Sequence, residues 1–248
     1  MDGVVAVTGA NRGIGAEIAL ELARRGHDVG CLSRSGQRPA LQPPDEVLAG
    51  RLRPVPCDVT DEASLRAAFR ALVEGGARLT GLVNNAGIHL EGRSEQFATA
   101  DFERVMAVNA TAVFAASREA YPHLVAAGGG LIVNIGSFFD RMGVQRYVAY
   151  CASKAAVGAI TRCLAVEWAP RGIRVIDVAP GYVLTDFNRA ELAEGSPLGK
   201  YLAKRIPAGG AAAPPSAVAR LVAALYAESI PFLTGETIYV DGAQGIAH

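Results

Sequence analysis

Short apolar runs alternate along this chain with longer stretches whose apolar residues recur at helical spacing. Residues 4–7 form the first run, which fits a fully buried strand and stops at a glycine turn. From Gly13 onward, Ile14, Ile18, Ala19, Leu22 and Ala23 share one face of a helix. Further strands are predicted over 28–32, ending at Ser33 and Arg34, over 52–57, and over 79–83, ending at Asn84-Asn85-Ala86-Gly87. The remaining strands fall over 131–135, ending at Gly136-Ser137, over 173–178, leaving through Pro180-Gly181, and over 237–240. Helices are predicted over 62–72, with Thr60 or Asp61 as cap, and over 99–124 with a break near Asn109. Two more cover 150–168, closed by Pro170 and Gly172, and 216–228. The stretch 35–50 carries Pro39, Pro43 and Pro44 and holds at most a short helix.

Apolar strands alternating with helices predict an α/β fold, a doubly wound Rossmann-type parallel sheet of about seven strands with helices on both faces. No linker separates two cores, so residues 1–248 are read as a single Rossmann-type catalytic domain. Residues 183–212 mix apolar anchors (Phe187, Leu192, Leu198, Tyr201, Ile206) with glycine and proline and read as a substrate lid. In such a fold the ligand crevice lies at the carboxyl ends of the strands, where their order reverses.

Composition narrows the partners. The 24 basic and 24 acidic side chains cancel, so no global field draws nucleic acid or anionic membrane. No uncharged apolar run is long enough to span a bilayer. Cys31, Cys57, Cys151 and Cys163 lack the close spacing of a metal site, so no metal is expected. Free thiols point to a reducing, cytoplasmic setting.

The first turn offers a phosphate site. Gly9, Gly13 and Gly15 let the backbone turn tightly and approach a ligand, and the helix that follows presents free N–H groups and its positive dipole end. The spacing departs from the common G-x-G-x-x-G, so the turn alone is also compatible with a structural role. At the end of the second strand, where NAD sites carry an acid for the ribose, the chain has Ser33 and Arg34, with Arg12 as a second cation. An arginine fork suits a 2′-phosphate, so NADP(H) is expected over NAD(H). Asp58 can accept from an adenine amino group or cap the next helix.

Tyr150 and Lys154 stand four residues apart on one helix face. A nearby ammonium group stabilises a phenolate, and such a tyrosine can exchange a proton with a carbonyl or alkoxide oxygen. Ser137, at a strand end, can hold that oxygen, and Asn109 can anchor a water leading to Lys154. Phe138, Phe139, Met142, Val144, Tyr147, Tyr182, Phe187 and Leu192 would surround the reacting centre or serve as ordinary packing. Arg141, Arg146 and Arg189 are cations available to an acidic group or a carrier.

Taken together, these segments resemble the short-chain dehydrogenase/reductase family over nearly the whole chain. Thr8 to Gly15 resembles that family's cofactor motif, Asn84-Asn85-Ala86-Gly87 its sheet-stabilising segment, and Asn109, Ser137, Tyr150 and Lys154 its catalytic tetrad. Pro180-Gly181, with Val183 and Thr185 beyond, resembles the turn at the nicotinamide end. The resemblance implies cofactor contacts from Gly9, Asn11, Arg12, Gly13, Ile14, Gly15, Ser33, Arg34, Asp58, Val59, Asn85, Ala86, Gly87, Tyr150, Lys154, Pro180, Gly181, Val183 and Thr185. It implies hydride transfer at a ketone or alcohol carbon, with Tyr150 as acid/base, Ser137 orienting the carbonyl and Lys154 on the nicotinamide ribose. Gly136 departs from the family, where many relatives carry a second serine. The implied activity is an NADPH-dependent ketoreductase, acting on a 3-oxoacyl thioester or a secondary-metabolite ketone. A sugar or polyol dehydrogenase is one alternative, and a catalytically idle nucleotide-binding regulator is another. A homotetramer or homodimer is implied, since Tyr239-Val240-Asp241-Gly242 resembles the last strand that often packs between subunits.

Overall fold

The apolar runs become strands because each has one or both faces covered. The computed structural model describes residues 3–247 apart from 42, 44, 186, 187, 193, 194 and 229, so Pro44 and Phe187 lie outside the described residues. Strands β1 (Gly3–Thr8), β2 (Asp28–Ser33), β3 (Leu52–Pro56), β4 (Arg78–Asn84), β5 (Gly130–Ile135), β6 (Ile173–Pro180) and β7 (Thr237–Val240) form one sheet. Its order is β3-β2-β1-β4-β5-β6-β7 and every pairing is parallel. The direction of winding reverses between β1 and β4, which opens a crevice at the carboxyl ends of those two strands.

Around the sheet run α1 (Gly13–Arg24), α2 (Glu46–Arg51), α3 (Glu62–Val73), α4 (Thr99–Met106), α5 (Ala112–Ala126), α6 (Val148–Trp168), α7 (Pro197–Arg205) and α8 (Pro215–Ala227). Successive strand side chains point to opposite faces. Val5, Val7, Val133, Ile176 and Val178 pack with Ile18, Leu22, Val218 and Val222 of α1 and α8. Val4, Ala6, Leu82, Ile132 and Val175 pack with Leu65, Phe69, Leu124 and Leu164 of α3, α5 and α6. Two apolar layers of this kind are what a doubly wound sheet requires.

Several boundaries differ from the pattern reading for local reasons. Asp61, not Thr60, caps α3, its carboxylate accepting from the Ala63 amide at 2.9 Å. The break anticipated near Asn109 is instead a wider π-turn over Ala107–Thr111 that carries α4 into α5 without interruption. No proline or glycine stops the helix there, and such turns gather at functional sites. Among the described residues the 35–50 stretch holds only the start of the short α2, while 183–212 contains α7 and Val183, which forms an isolated bridge to Ala213.

One buried polar row crosses the apolar sheet on the α5/α6 side. Asn84 on β4 and Asn134 on β5 are register partners, and Asn84 Nδ2 donates to Asn134 Oδ1 at 2.8 Å. Asn84 Nδ2 also donates to Ser117 Oγ on α5 at 3.0 Å, and Asn134 Nδ2 to Thr161 Oγ1 on α6 at 2.8 Å. A buried donor or acceptor left without a partner costs about 1–3 kcal/mol. Asn134→Ala, which leaves one Asn84 amide hydrogen without its acceptor and empties a side-chain volume, should therefore lower stability by about 2–3 kcal/mol. The check is a denaturant titration, with the midpoint falling and the m-value unchanged.

Candidate active site

The glycine turn is built to leave its backbone accessible. Gly9 and Gly13 have positive φ (65° and 57°), a conformation that side chains with a Cβ rarely adopt. A Cβ on Gly15 would overlap Gly9 O and Asn85 Nδ2. Arg12 precedes α1 without capping it through its side chain, so the first helical amides keep their donors for an anion. Thr8 and Asn85 fix the turn to the next strand. Asn85 Nδ2 donates to Thr8 O at 2.9 Å and to Gly9 O at 3.2 Å, while Thr8 Oγ1 accepts from the Asn85 and Ala86 amides at 2.9 and 3.0 Å. Val59 and Ala86 border the same cleft beside Thr8, and Gly87 lies exposed at its rim.

At the end of β2, Ser33 is buried with its hydroxyl 3.4 Å from Ser35 Oγ, and Arg34 is exposed. The loop that follows is tied to the glycine turn by the Ala40 amide, which donates to Asn11 O at 2.8 Å. It encloses a hollow of about 330 Å³ lined by Arg38, Pro39, Ala40, Leu41, Pro43 and Leu52. Asp58 does not cap α3. Its carboxylate accepts from the Thr60 amide at 2.9 Å and hydroxyl at 2.7 Å, and these bonds hold it below the usual carboxylate range.

On the other side of the crevice, Pro180 ends β6, and the Gly181 amide donates to Val240 O at 3.0 Å. Val183 is buried beside Ala213. Asn188 organises the next residues, accepting from the Thr185 amide at 2.7 Å and donating to Val183 O at 2.9 Å. This brings Thr185 back over the first turn, for a Cβ added at Gly13 would stand 3.6 Å from Thr185 Cγ2.

The residues read as catalytic converge between β5 and α6. Ser137 begins a single 3₁₀ turn over Phe138–Arg141, its Oγ accepting from the Phe139 amide at 3.3 Å, and its hydroxyl lies beside the Tyr150 phenol. Lys154 is buried, its Nζ donating to Ile135 O at 2.7 Å and lying 5.6 Å from the Tyr150 ring centre. Burial pushes the ammonium down to about 8, against the pull of Asp177. The lowering anticipated for Tyr150 is outweighed: burial pushes its phenol up to about 12, with the nearby Ser137 hydroxyl acting the other way. Asn109 sits in the π-turn behind them, giving its two amide hydrogens to Ile88 O at 2.9 Å and Ser153 Oγ at 3.1 Å and accepting from the Ile88 amide at 2.8 Å.

An aromatic wall faces the phenol. Phe139 stands edge-on to Tyr150, Tyr147 and Tyr182, at 6.1, 5.6 and 6.0 Å between ring centres. His89 stacks on Tyr147 at 4.7 Å and meets Tyr150 edge-on at 5.9 Å. Two arginines considered for an acidic substrate are already engaged. Arg146 lies 3.3 Å from Glu91, and Arg141 lies over the Tyr239 ring at 3.7 Å and near Asp241. Arg189 is engaged as well.

Residues 9–243 match the family model described as enoyl-(acyl carrier protein) reductase. Over 254 residues the chain is 34% identical to D-threitol dehydrogenase of Mycolicibacterium smegmatis, covering 99% of this chain and 94% of that one. It is also 34% identical over 242 residues to 3beta-hydroxysteroid dehydrogenase 1 of Eggerthella lenta, covering 96% and 92%. This chain belongs to the short-chain dehydrogenase/reductase family. The crystal structure of a gluconate 5-dehydrogenase from Burkholderia cenocepacia, in complex with NADP and tartrate, matches it with a TM-score of 0.87 at 29% identity, covering 99% and 96%. As a short-chain dehydrogenase/reductase, the chain is an NAD(P)-dependent oxidoreductase acting on carbonyl or alcohol groups.

Three residues beside the candidate site of this oxidoreductase carry no signal in the sequence pattern. Arg38 lies five residues past β2 but borders the hollow beyond Arg34, and only the loop's path back to Asn11 reveals it. Asn188 and His89 act through loops whose course no periodicity encodes. The glycine cradle fits a dinucleotide pyrophosphate in shape and in donor chemistry. Gly15→Ala should therefore weaken NADP(H) binding roughly tenfold or more, about 1.4 kcal/mol, as the added carbon displaces Asn85 or Gly9. Quenching of protein fluorescence by NADPH measures it.

Proposed function

We propose that this chain is an NADPH-dependent carbonyl reductase whose ketone substrates carry an apolar or aromatic ring. The observation that supports it most is the convergence of Ser137, Tyr150 and Lys154 at the sheet's carboxyl edge, beside the glycine cradle. At neutral pH the Tyr150 phenol is protonated and the Lys154 ammonium charged, the states in which a carbonyl oxygen can be protonated as it becomes an alkoxide. Ser137 orients that oxygen. The nicotinamide, when bound, supplies hydride in this direction and accepts it in the reverse one. Asn109 has both amide hydrogens committed and Oδ1 accepting once, so the second lone pair of Oδ1 or the backbone carbonyl is what it can offer a water leading to Lys154.

NADP(H) is favoured over NAD(H) by Arg34 and Arg12, joined by Arg38 at the hollow, and by Ser33 where an acid would otherwise meet the ribose. The aromatic wall of His89, Phe139, Tyr147 and Tyr182 supports the ring-bearing ketone, and a relative named for a steroid agrees with it. Polyol oxidation is the second reading, carried by the likeness to a D-threitol dehydrogenase. The idle-regulator alternative is disfavoured because nucleotide binding needs neither Tyr150 nor Ser137. Residues 1–248 act as one catalytic domain in this reading, with 183–212 closing over substrate. The protein works as a homotetramer or homodimer in the cytoplasm. Four free cysteines agree with that setting, and no described helix is long and apolar enough to cross a membrane.

Tyr150→Phe should leave NADPH binding largely intact while kcat falls about a thousandfold, the scale of a lost general acid. Unchanged kcat on a panel of cyclic ketones, keto-sugars and 3-oxoacyl thioesters, followed at the NADPH absorbance, would remove the acid/base assignment. Arg34→Ala should raise KM for NADPH roughly tenfold, the effect of losing a charge-assisted contact, and leave KM for NADH nearly where it was. Parallel assays with both cofactors decide it.

A further inference from the structure

β6 carries one charged residue on a face otherwise apolar. Ile173 and Val175 point into the layer beneath α5 and α6, and strand alternation sends Asp177 the same way. Asp177 extends the buried polar row, being the register partner of Asn134 on β5 and of Thr237 on β7. Its carboxylate is fully buried, and only one oxygen is answered: Thr237 Oγ1 donates to Oδ2 at 3.2 Å, while Oδ1 has no hydrogen-bond partner. Taking a carboxylate out of water is costly unless donors or a cation compensate. A residue that merely completed the row would be satisfied on both oxygens.

We propose that Asp177 is a positioning residue of the reaction centre, a buried carboxylate that serves Lys154 as counter-ion and is admitted because residue 136 has no side chain. The inference rests on the catalytic reading of Lys154. The space argument comes from Gly136, where a Cβ would overlap Asp177 Oδ1. The Gly136 amide donates to Val178 O at 2.8 Å and lies close enough to the Asp177 carboxylate to favour its charged form. Lys154 Nζ donates to the carbonyl of Ile135 and the Asp177 carboxylate lies against Gly136, so ammonium and carboxylate converge on adjacent residues of one chain segment without forming a direct ion pair. The other groups facing Asp177 are Asp140, from the turn after Ser137, and Thr237 and Tyr239 of β7. Asp140 is held by the Tyr239 hydroxyl, which donates to Oδ2 at 2.8 Å. Lys154 offsets this acidic corner from α6, and Arg141, over the Tyr239 ring, flanks it from the turn after Ser137. Burial pushes the Asp177 carboxyl up to about 6, and Lys154 stands at about 8, so both are charged between those values. Below the window the carboxylate is protonated, and above it the ammonium is lost.

Asp177→Asn keeps the shape and the Thr237 contact and removes the charge. Without the anion, deprotonation of Lys154 becomes easier. The chain has three lysines, Lys154, Lys200 and Lys204, so the ¹³Cε resonances of lysine-labelled protein report the first directly once Lys200→Arg and Lys204→Arg assign the others. The Lys154 midpoint should fall by about one pH unit in Asp177→Asn, and the other two lysines should not move. The basic limb of ketone reduction, read as kcat against pH, should fall with it. An unchanged Lys154 midpoint overturns the proposal whatever the activity. Absence of ketone turnover in the parent protein would count against the catalytic reading instead, and the resonance titration would still decide the counter-ion. Gly136→Ala should lower the thermal midpoint, and adding Asp177→Ala should restore it while keeping the lowered Lys154 midpoint. That double variant also carries the titration if Asp177→Asn does not fold. A Gly136→Ala protein as stable as the parent, with its Lys154 titration unmoved, would contradict the proposed fit.

Discussion

Helix α6 is held over the sheet by buried polar groups that have no water to turn to. Three contacts along its length fix it: Ser153 Oγ accepts from Asn109, Lys154 Nζ donates to Ile135 O, and Thr161 Oγ1 accepts from Asn134. Each would leave a buried donor or acceptor unanswered if the helix slid or turned. An apolar helix face alone tolerates small shifts, but hydrogen bonds at fixed positions do not. The rotation of α6 is therefore set by the same residues that bracket Tyr150, and the phenol arrives beside Ser137 as a consequence. The π-turn at Asn109 belongs to this arrangement, since it places the side chain between Ile88 and Ser153.

A second set of ties holds the crevice open. Parallel strands end with unpaired backbone groups at their carboxyl edge, and here Thr8 and Asn85 satisfy several of them without filling the gap between β1 and β4. The loop after β2 and the segment around Thr185 close the gap from opposite sides, one carrying arginines and the other an amide-held turn. Charge is placed accordingly. Exposed guanidinium groups gather at one end of the crevice, while the charged pair near the chemistry, Lys154 and Asp177, is buried.

Much of this was legible because it is local. The run of apolar residues before Gly9 and the helical spacing after Gly13 announce strand, turn and helix whatever surrounds them. Tyr150 and Lys154 share a helix face by spacing alone. Asp177 was not legible, because within Val175–Ala179 a lone acid reads as a blemish in an apolar strand until its register with Asn134 and Thr237 is known. The tuning of Tyr150 was misjudged for a similar reason: burial depends on the aromatic residues packed around it, and these come from separate loops. Asn109 looked like a helix break because asparagine is a poor helix former, whereas its hydrogen bonds to the Ile88 backbone stabilise a wider turn.

The most direct measurement is a crystal structure of the protein with NADP⁺ bound. The account predicts pyrophosphate on the amides between Gly9 and Gly15, the nicotinamide end beside Thr185, and a ribose hydroxyl within hydrogen-bond distance of both Lys154 Nζ and the Tyr150 phenol, with α6 unmoved. A dinucleotide bound away from that edge, or an α6 turned so that Tyr150 leaves Ser137, would contradict it.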